Sequence, residues 1–182
     1  NTKTEQTISN RELLEKSLIN PHIKITDFGD FCKDDEKYDV EYGTRYYRPP
    51  EGILIGETTQ SIDTWELGCT VWELLTGKIL FDPDKDRNHS RDWYHLHMIR
   101  GLCGEFTKRF LKSTEKWKEF FDKKGRLKDY RNVDEITWDD ILEKHNISED
   151  AHDFIKQCIK IKPNTRYNMN QLLNHKWLRE SE

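Results

Sequence analysis

The stretch Ser61–Thr76, SIDTWELGCTVWELLT, carries the strongest helical pattern in this sequence. Its apolar side chains cover most of the helix circumference, and Gly77 follows at a position where helices commonly end. A helix that is apolar nearly all round lies inside a protein, because no face of it favours water. The sequence therefore predicts a buried central helix around which the rest of the chain packs.

The composition around this helix is polar but typical of a folded protein. The 182 residues are 35% charged and 34% hydrophobic, yet the apolar residues cluster in Leu67–Leu75, Phe154–Ile161 and Leu172–Leu178. Such clustering favours a core over disorder. The net charge of −4, with both signs interspersed, lacks the basic patch of a nucleic-acid binder. We therefore expect no nucleic-acid partner.

The cysteines and the termini bear on the location of the protein. The four cysteines are widely spaced without a CxxC pair, which favours reduced thiols inside the cell. No stretch reaches the length of a membrane span, and the first residues lack the apolar core of a signal peptide. We expect an intracellular protein, cytoplasmic or nuclear, without a membrane partner.

The rest of the chain reads as mainly α. Residues 1–20 are polar, and we interpret them as a poorly ordered linker or insert. The alternation in His22–Thr26 predicts a short strand that runs into Asp27-Phe28-Gly29. Further helices are predicted at His95–Leu102, Glu115–Phe121, Trp138–Lys144, after the N-cap Ser148, and at Asn168–Leu178.

The tripeptide Asp27-Phe28-Gly29 is the first candidate for chemistry. A carboxylate that follows a strand can coordinate Mg²⁺ on the phosphates of ATP, and a glycine allows the sharp turn beside it. Asp and Gly are also common where an ordinary strand ends in a turn, so the tripeptide alone leaves both interpretations open.

Three further motifs follow in order and change this balance. They are Thr44-Arg-Tyr-Tyr-Arg-Pro-Pro-Glu51, Asp63-Thr-Trp65-Glu-Leu-Gly68 and Lys162-Pro-Asn-Thr-Arg166. With Asp27-Phe28-Gly29 they resemble the C-terminal part of the protein kinase catalytic domain. The resemblance implies a helical C-terminal lobe over 21–182, with short β-strands around the Asp27-Phe28-Gly29 loop, an activation segment at 27–51 and an insert at about 84–147.

The resemblance also implies a role for each motif residue. Asp27 would bind Mg²⁺, and Phe28 and Gly29 would belong to the ATP site. Glu51 and Arg166 would form a buried ion pair that holds the activation segment, since a guanidinium can grip a carboxylate with two hydrogen bonds. Thr44 would help to order the catalytic loop, Asp63 would support that loop, and Trp65 would pack in the core. The activation and substrate-positioning (P+1) segment would contain Arg45, Tyr46, Tyr47 and Arg48.

Within the kinases, the chain is most similar to the SR-protein kinases of the CMGC group. Arg48 is the arginine typical of that group, and Lys116–Lys128 resembles the insert of SR-protein kinases. The resemblance implies serine/threonine phosphorylation and Arg/Ser-rich protein substrates. However, Arg87, Asn88 and Tyr94 stand where that family carries acidic docking residues, which argues against arginine-rich substrates. A merely solvated loop is the alternative interpretation of this stretch.

The activation loop 30–43 contains no Ser or Thr. Tyr38 and Tyr42 are its only hydroxyl candidates, and neither stands at the usual CMGC phosphotyrosine position. We expect a loop held by its own contacts, with Arg45 and Arg48 meeting an acid such as Glu41 or a bound anion.

Several kinase motifs do not occur in these 182 residues. No Gly-rich phosphate loop, no Val-Ala-Ile-Lys lysine and no His-Arg-Asp catalytic loop is present. We therefore assign no catalytic residue in this chain, expect it to be inactive by itself, and expect ATP to bind through a lobe encoded upstream. The alternative function is that of a pseudokinase or scaffold lobe, which binds protein partners without catalysis.

Overall fold

A computed structural model describes residues 19, 23–30, 43–57, 59–129 and 137–179. The chain divides into two compact units, Asn1–Phe31 and Cys32–Glu182. The predicted linker at 1–20 lies outside the described residues except for Ile19, as do 31–42 with Tyr38, Glu41 and Tyr42.

The first unit contains the Asp27-Phe28-Gly29 turn. Phe28–Asp30 form a 3-10 turn, while residues 23–27 take no regular structure. The strand predicted here is therefore wrong, because a strand needs a hydrogen-bonded neighbour and no described residue pairs with it. Ile23 and Ile25, which would share one face of that strand, are both exposed.

The second unit is helical, which confirms the mainly α prediction. Its helices in chain order are α1 (Pro50–Leu54), α2 (Ser61–Thr76), α3 (Arg91–Cys103), α4 (Lys108–Lys112), α5 (Trp117–Phe120), α6 (Trp138–His145), α7 (Glu149–Cys158), α8 (Met169–Leu173) and α9 (Lys176–Arg179). Arg45–Tyr47 and Pro163–Thr165 form 3-10 turns. Among the described residues, β-pairing is limited to an isolated bridge between Phe121 and Leu127.

Side-chain caps explain where several helices begin. The hydroxyl of Ser90 accepts from Trp93 N at 3.2 Å, so α3 starts one turn before the predicted His95. Ser148 caps α7 in the same way, as the sequence predicts. The predicted helix Asn168–Leu178 is instead split into α8 and α9, because the backbone leaves the helix at Asn174 and the buried His175 follows.

Helix α2 lies at the centre of this unit, as predicted, and packs against α7 and both 3-10 turns. Trp65 and Cys69 on α2 are 0% and 1% exposed, but Leu74 near its C-terminal end is 80% exposed. The prediction that α2 is buried on nearly all sides is therefore wrong for its C-terminal end. A Cβ atom at Gly68 would stand 2.6 Å from Cys158 Cβ on α7. Only glycine therefore allows α2 and α7 to approach this closely.

The described cysteines behave as core residues. Cys69, Cys103 and Cys158 are free thiols. Burial raises the pKa of Cys69 well above its usual value and raises the pKa of Cys103 and of Cys158 to about 12. These thiols therefore stay protonated near neutral pH and are poor nucleophiles.

The insert is hydrogen-bonded to the rest of this unit. Glu115 N and Lys116 N donate to the carbonyls of Ile55 and Leu54 at the end of α1, both at 3.0 Å. Trp93 Nε1 on α3 donates to the carbonyl of Lys128 at 2.8 Å. Among the described helices, none is long and apolar enough to cross a membrane.

Candidate functional site

The Thr44–Glu51 segment has a backbone dictated by its prolines. Arg48 is extended, with φ −67° and ψ 124°, because a following proline disfavours the helical region. Pro50 occupies the first turn of α1, where its missing N–H costs no hydrogen bond. The segment therefore changes from a 3-10 turn to an extended residue and then to a helix within a few residues.

The C-terminal end of this segment is held by a buried ion pair. Arg166 Nη1 and Nη2 donate to the two carboxylate oxygens of Glu51 at 2.6 and 2.7 Å, and the side chains are 0% and 2% exposed. The structure thus brings together the two residues that the sequence analysis pairs. This two-bond geometry is the strongest arrangement of a guanidinium and a carboxylate.

The other donors of Arg166 are also used. Its Nη1 donates to the carbonyl of Ser61 at 3.0 Å, and its Nε donates to the carbonyl of Lys160 at 2.9 Å. The guanidinium carbon lies 4.9 Å from the centre of the Trp65 ring, whose other contacts include a stacked Phe81 ring at 5.5 Å. Arg166 therefore joins α1, the start of α2 and the chain after α7 in one buried network.

The N-terminal end of the segment is held by more exposed contacts. Arg45 forms an ion pair with Asp92 in the first turn of α3, and their side chains are 22% and 20% exposed. Tyr47 donates its hydroxyl hydrogen to Glu73 on α2 at 2.6 Å. This hydrogen bond, with burial and the Glu73 charge, raises the pKa of Tyr47 to about 12.

Arg48 and Thr44 complete the segment. The buried Arg48 donates through Nη2 to the carbonyl of Gly43 at 3.2 Å. This hydrogen bond joins Arg48 to the residue that precedes the segment. Thr44 is exposed and precedes the 3-10 turn without a side-chain cap. Tyr46 is half-buried between its two neighbours in that turn.

His95 on α3 is a part of this region that the sequence analysis missed. It is 0% exposed, and neither ring nitrogen has a hydrogen-bond partner. Burial, with the positive charges of Arg45 and Arg48, lowers the pKa of His95 to about 3, so the ring stays neutral. The motifs do not reveal Glu73 and Asp92, because their partners Tyr47 and Arg45 lie 26 and 47 residues away in the sequence. They do not reveal His95 either, because it is held by packing alone.

The other predicted site residues are Asp63 on α2 and, in the first unit, Asp27 with Phe28 and Gly29. Asp63 is exposed on the first turn of α2. In the first unit, Asp27 has a positive φ of 64°, a conformation that aspartate tolerates better than most residues. A Cβ at Gly29 would lie 3.6 Å from Asp27 Oδ1, so the carboxylate folds back over the turn. Strained backbone of this kind occurs often at ligand-binding turns.

The described residues contain no cluster of metal-ligating side chains. No group of three or more His, Cys, Asp or Glu side chains in that part of the chain could hold a metal ion. A carboxylate such as that of Asp27 is an oxygen donor of the type that Mg²⁺ prefers.

Comparison with known proteins identifies the family. Residues 12–178 match the protein kinase domain. The chain is 32% identical over 164 residues to serine/threonine-protein kinase SKY1 of Saccharomyces cerevisiae. The aligned residues make up 87% of this chain and 22% of that protein. It is 30% identical over 173 residues to serine/threonine-protein kinase SRPK of Physarum polycephalum, which covers 91% of this chain and 40% of that protein.

A third relative is dual specificity protein kinase CLK1 of Homo sapiens, which is 29% identical over 179 residues, or 88% of this chain and 34% of that protein. The chain thus spans between about a fifth and two fifths of the length of these relatives. They confirm the resemblance to SR-protein kinases of the CMGC group. Together with the match over residues 12–178, they show that the chain belongs to the protein kinase domain family.

Proposed function

We propose that the whole protein is a serine/threonine protein kinase that transfers the γ-phosphate of ATP to protein substrates, and that this chain holds its activation segment. The observation that carries the proposal is the buried Glu51–Arg166 pair with its two carbonyl contacts. Phosphoryl transfer depends on positioning more than on covalent chemistry by the protein, so a rigidly held substrate segment is what such an enzyme needs.

The Thr44–Glu51 segment would position the phosphoacceptor. Glu51 attaches its C-terminal end to Arg166, and Tyr47 and Arg45 attach its N-terminal part to α2 and α3. These attachments are made by the side chains of the chain itself and need no phosphate group. They support the expectation that the segment keeps its shape without phosphorylation.

ATP and Mg²⁺ are the cofactors that protein kinases in general use. Asp27, in the turn with Phe28 and Gly29, would hold the metal ion with one carboxylate oxygen, and the ion neutralises charge on the phosphates when bound. Asp63 and Thr44 would support the catalytic loop, as the resemblance implies. We further propose an intracellular location, cytoplasmic or nuclear, since ATP is the phosphate donor.

The substrate class that we propose is a protein with Ser or Thr acceptors. Two acids that follow Phe81 already have partners: Asp86 in the loop accepts from Tyr94 at 2.8 Å, and Asp92 in the first turn of α3 pairs with Arg45. The Tyr94 hydrogen bond and the backbone N–H of Asn88 lower the pKa of Asp86 far below its usual range. Asp86 therefore keeps its negative charge near neutral pH, but an arginine-rich substrate would have to compete with Tyr94 for Asp86 and with Arg45 for Asp92.

The proposal is tested in the full-length protein by replacing the metal carboxylate. We expect Asp27→Ala and Asp27→Asn to reduce phosphate transfer from ATP to a generic basic protein by at least about 100-fold, since each removes the charged metal ligand. Glu119→Gln, at an exposed carboxylate on α5, is the matched control and should retain full activity.

Retained transfer in both Asp27 variants would contradict the metal role. A wild-type protein that binds partners but transfers no phosphate would contradict the kinase function and favour the scaffold alternative.

A further inference from the structure

Residues 108–128 of the insert form a strongly basic surface. They carry nine cationic side chains against three carboxylates, a net charge of +6, although the whole chain has a net charge of −4. These counts include carboxylates that are hydrogen-bonded, because such groups stay charged. The neighbouring residues Arg100, Glu105 and Asp129 reduce the excess only to +5. The two signs are thus interspersed in the chain as a whole but not in this segment.

The segment folds with its apolar side chains inward and its cations outward. Eight of the nine cationic residues are exposed, and the ninth, Lys116, is half-buried. The buried apolar residues beneath them are Phe106, Phe110, Leu111, Phe120, Phe121 and Leu127. The basic surface (108–128) is therefore the outer face of a packed part of the fold.

The backbone brings cations from two parts of the segment together. Lys108 and Lys112 stand four residues apart on α4 and share one face of that helix. A Cβ atom at Gly125 would lie 3.3 Å from Lys108 Cγ, so the turn that contains Lys123 and Lys124 packs against α4. Four ammonium groups thus lie on one continuous surface.

Other contacts within the segment leave most of its charge unbalanced. Lys128 Nζ donates to the carbonyl oxygens of Lys118 and Glu119 at 2.6 and 3.1 Å. A carbonyl oxygen carries no net charge, so these hydrogen bonds fix the side chain of Lys128 without cancelling its charge. By contrast, Arg126 Nε donates to the carboxylate of Asp122 at 2.9 Å and is balanced there.

The shape and composition of the basic surface favour an acidic protein over a membrane or a nucleic acid. Within 108–128, all of which the structure describes, no large apolar side chain is exposed. The surface therefore lacks the apolar face that inserts into a bilayer and the exposed rings on which unpaired bases stack. Helices α4 and α5 have five and four residues, which is too short for a recognition helix in a DNA groove.

We propose that the basic surface (108–128) binds an acidic segment of a partner protein, rich in Asp and Glu. The carboxylates of an extended chain can meet Lys108, Lys112, Lys123 and Lys124 in turn. Each exposed ion pair contributes little, so the affinity comes from several pairs at once and decreases with salt. This interaction goes beyond phosphate transfer and does not depend on it.

The test is fluorescence anisotropy of the purified full-length protein with a dye-labelled peptide of Glu, Asp and Gly. The comparison probes are the same peptide with Gln and Asn, a single-stranded RNA and a duplex DNA of equal charge, and vesicles of phosphatidylcholine with phosphatidylserine. We expect saturable binding of the acidic peptide that weakens at least about tenfold between about 0.05 and 0.3 M salt. The amide peptide should not bind, and the nucleic acids and the vesicles should bind more weakly than the acidic peptide.

Charge reversal tests whether this surface is the one that binds. K112E/K123E/K124E should bind the acidic peptide at least about tenfold more weakly, and K112Q/K123Q/K124Q should show a smaller loss. The matched control K78E/K85E/K144E makes the same change in net charge at three exposed lysines outside the segment and should bind nearly normally. Circular dichroism melting curves of all three variants should match that of the wild type.

Carbodiimide cross-linking locates the peptide, because this reagent joins carboxylates directly to lysine amines. Mass spectrometry should find the peptide mainly on Lys112, Lys123 and Lys124. Cross-links spread evenly over the lysines of the protein, equal binding of the amide peptide, or an equal loss in the control variant would each overturn the proposal. Tighter binding of RNA, DNA or the vesicles than of the acidic peptide would also overturn it, and would assign the surface to that partner instead.

Discussion

The two ends of the Thr44–Glu51 segment are held by ion pairs of opposite character. At the C-terminal end, Glu51 and Arg166 are almost fully buried and joined by two hydrogen bonds. At the N-terminal end, Arg45 and Asp92 each keep about a fifth of their side-chain surface in contact with water. Because water and salt weaken exposed pairs, the two ends should contribute very differently to stability.

The largest expected effect comes from breaking the buried pair. Arg166→Met leaves the Glu51 carboxylate buried without a partner, and we expect a loss of about 3–5 kcal/mol in the free energy of unfolding. Chemical denaturation followed by circular dichroism measures it. The double variant E51L/R166M should regain much of this loss, because it leaves no buried charge behind.

The matched control is Arg126→Met, which breaks an exposed pair with Asp122. It should cost less than about 1 kcal/mol. If Arg166→Met costs no more than this control, burial does not distinguish the Glu51–Arg166 pair from an exposed ion pair.

The next effect is a pH dependence carried by His95, beneath the N-terminal end. Its folded-state pKa of about 3 lies below the ordinary value of 6.5, so acid protonates the unfolded chain first. The contribution of neutral His95 to the free energy of unfolding is therefore fully present above about pH 6.5. It falls as the pH drops toward 3, by about 2–3 kcal/mol at pH 4.5. His95→Leu should lose this slope, whereas His89→Gln should keep it. Parallel pH profiles of wild type and His95→Leu would contradict the prediction.

A smaller effect is expected from the hydroxyl of Tyr47. Tyr47→Phe removes the hydrogen bond to Glu73 and should cost about 1 kcal/mol. Because the folded pKa of about 12 exceeds the unfolded value of 10, the stability from this hydroxyl is present below pH 10 and is lost as the pH rises to about 12. Tyr46→Phe is the control, and unfolding curves at pH 8 and 11 should separate the two variants. Equal behaviour of both would exclude a role for the Glu73 contact.

The smallest effect is expected at the exposed pair. Asp92→Asn should cost about 0.5 kcal/mol in dilute buffer. In about 1 M salt this difference should vanish, since charges are then screened within about 3 Å, whereas the cost of Arg166→Met should persist. Unfolding measurements at both salt concentrations test this. A salt-independent loss in Asp92→Asn would place this pair in the same class as the buried one.

The contrast between the two ends also shows what could be predicted from the sequence. Glu51 and Arg166 stand in motifs with a known mutual role, and the central helix at Ser61–Thr76 follows from its apolar pattern. Asp92 and His95 carry no motif, because a surface ion pair or a buried imidazole can be placed by many sequences. These contacts become visible only when α3 is packed beside the segment.

Two sequence interpretations failed for physical reasons. The strand at His22–Thr26 was expected from its alternation, but alternation without a pairing partner does not make a strand. The single helix at Asn168–Leu178 was expected from an apolar pattern that continues across Asn174. Burial of His175, which contacts Asp153 of α7 at 3.1 Å, interrupts the helix there instead.

The absent side chain of Gly68 has a mechanical consequence for the far end of the chain. A methyl group there would push α7 away from α2, because α7 lies too close to accommodate it. Asp153 of α7 contacts His175, which directly precedes α9. A displacement of α7 would therefore also displace this contact. A substitution in the middle of the central helix would thus be transmitted along α7 and loosen the last helix that the structure describes.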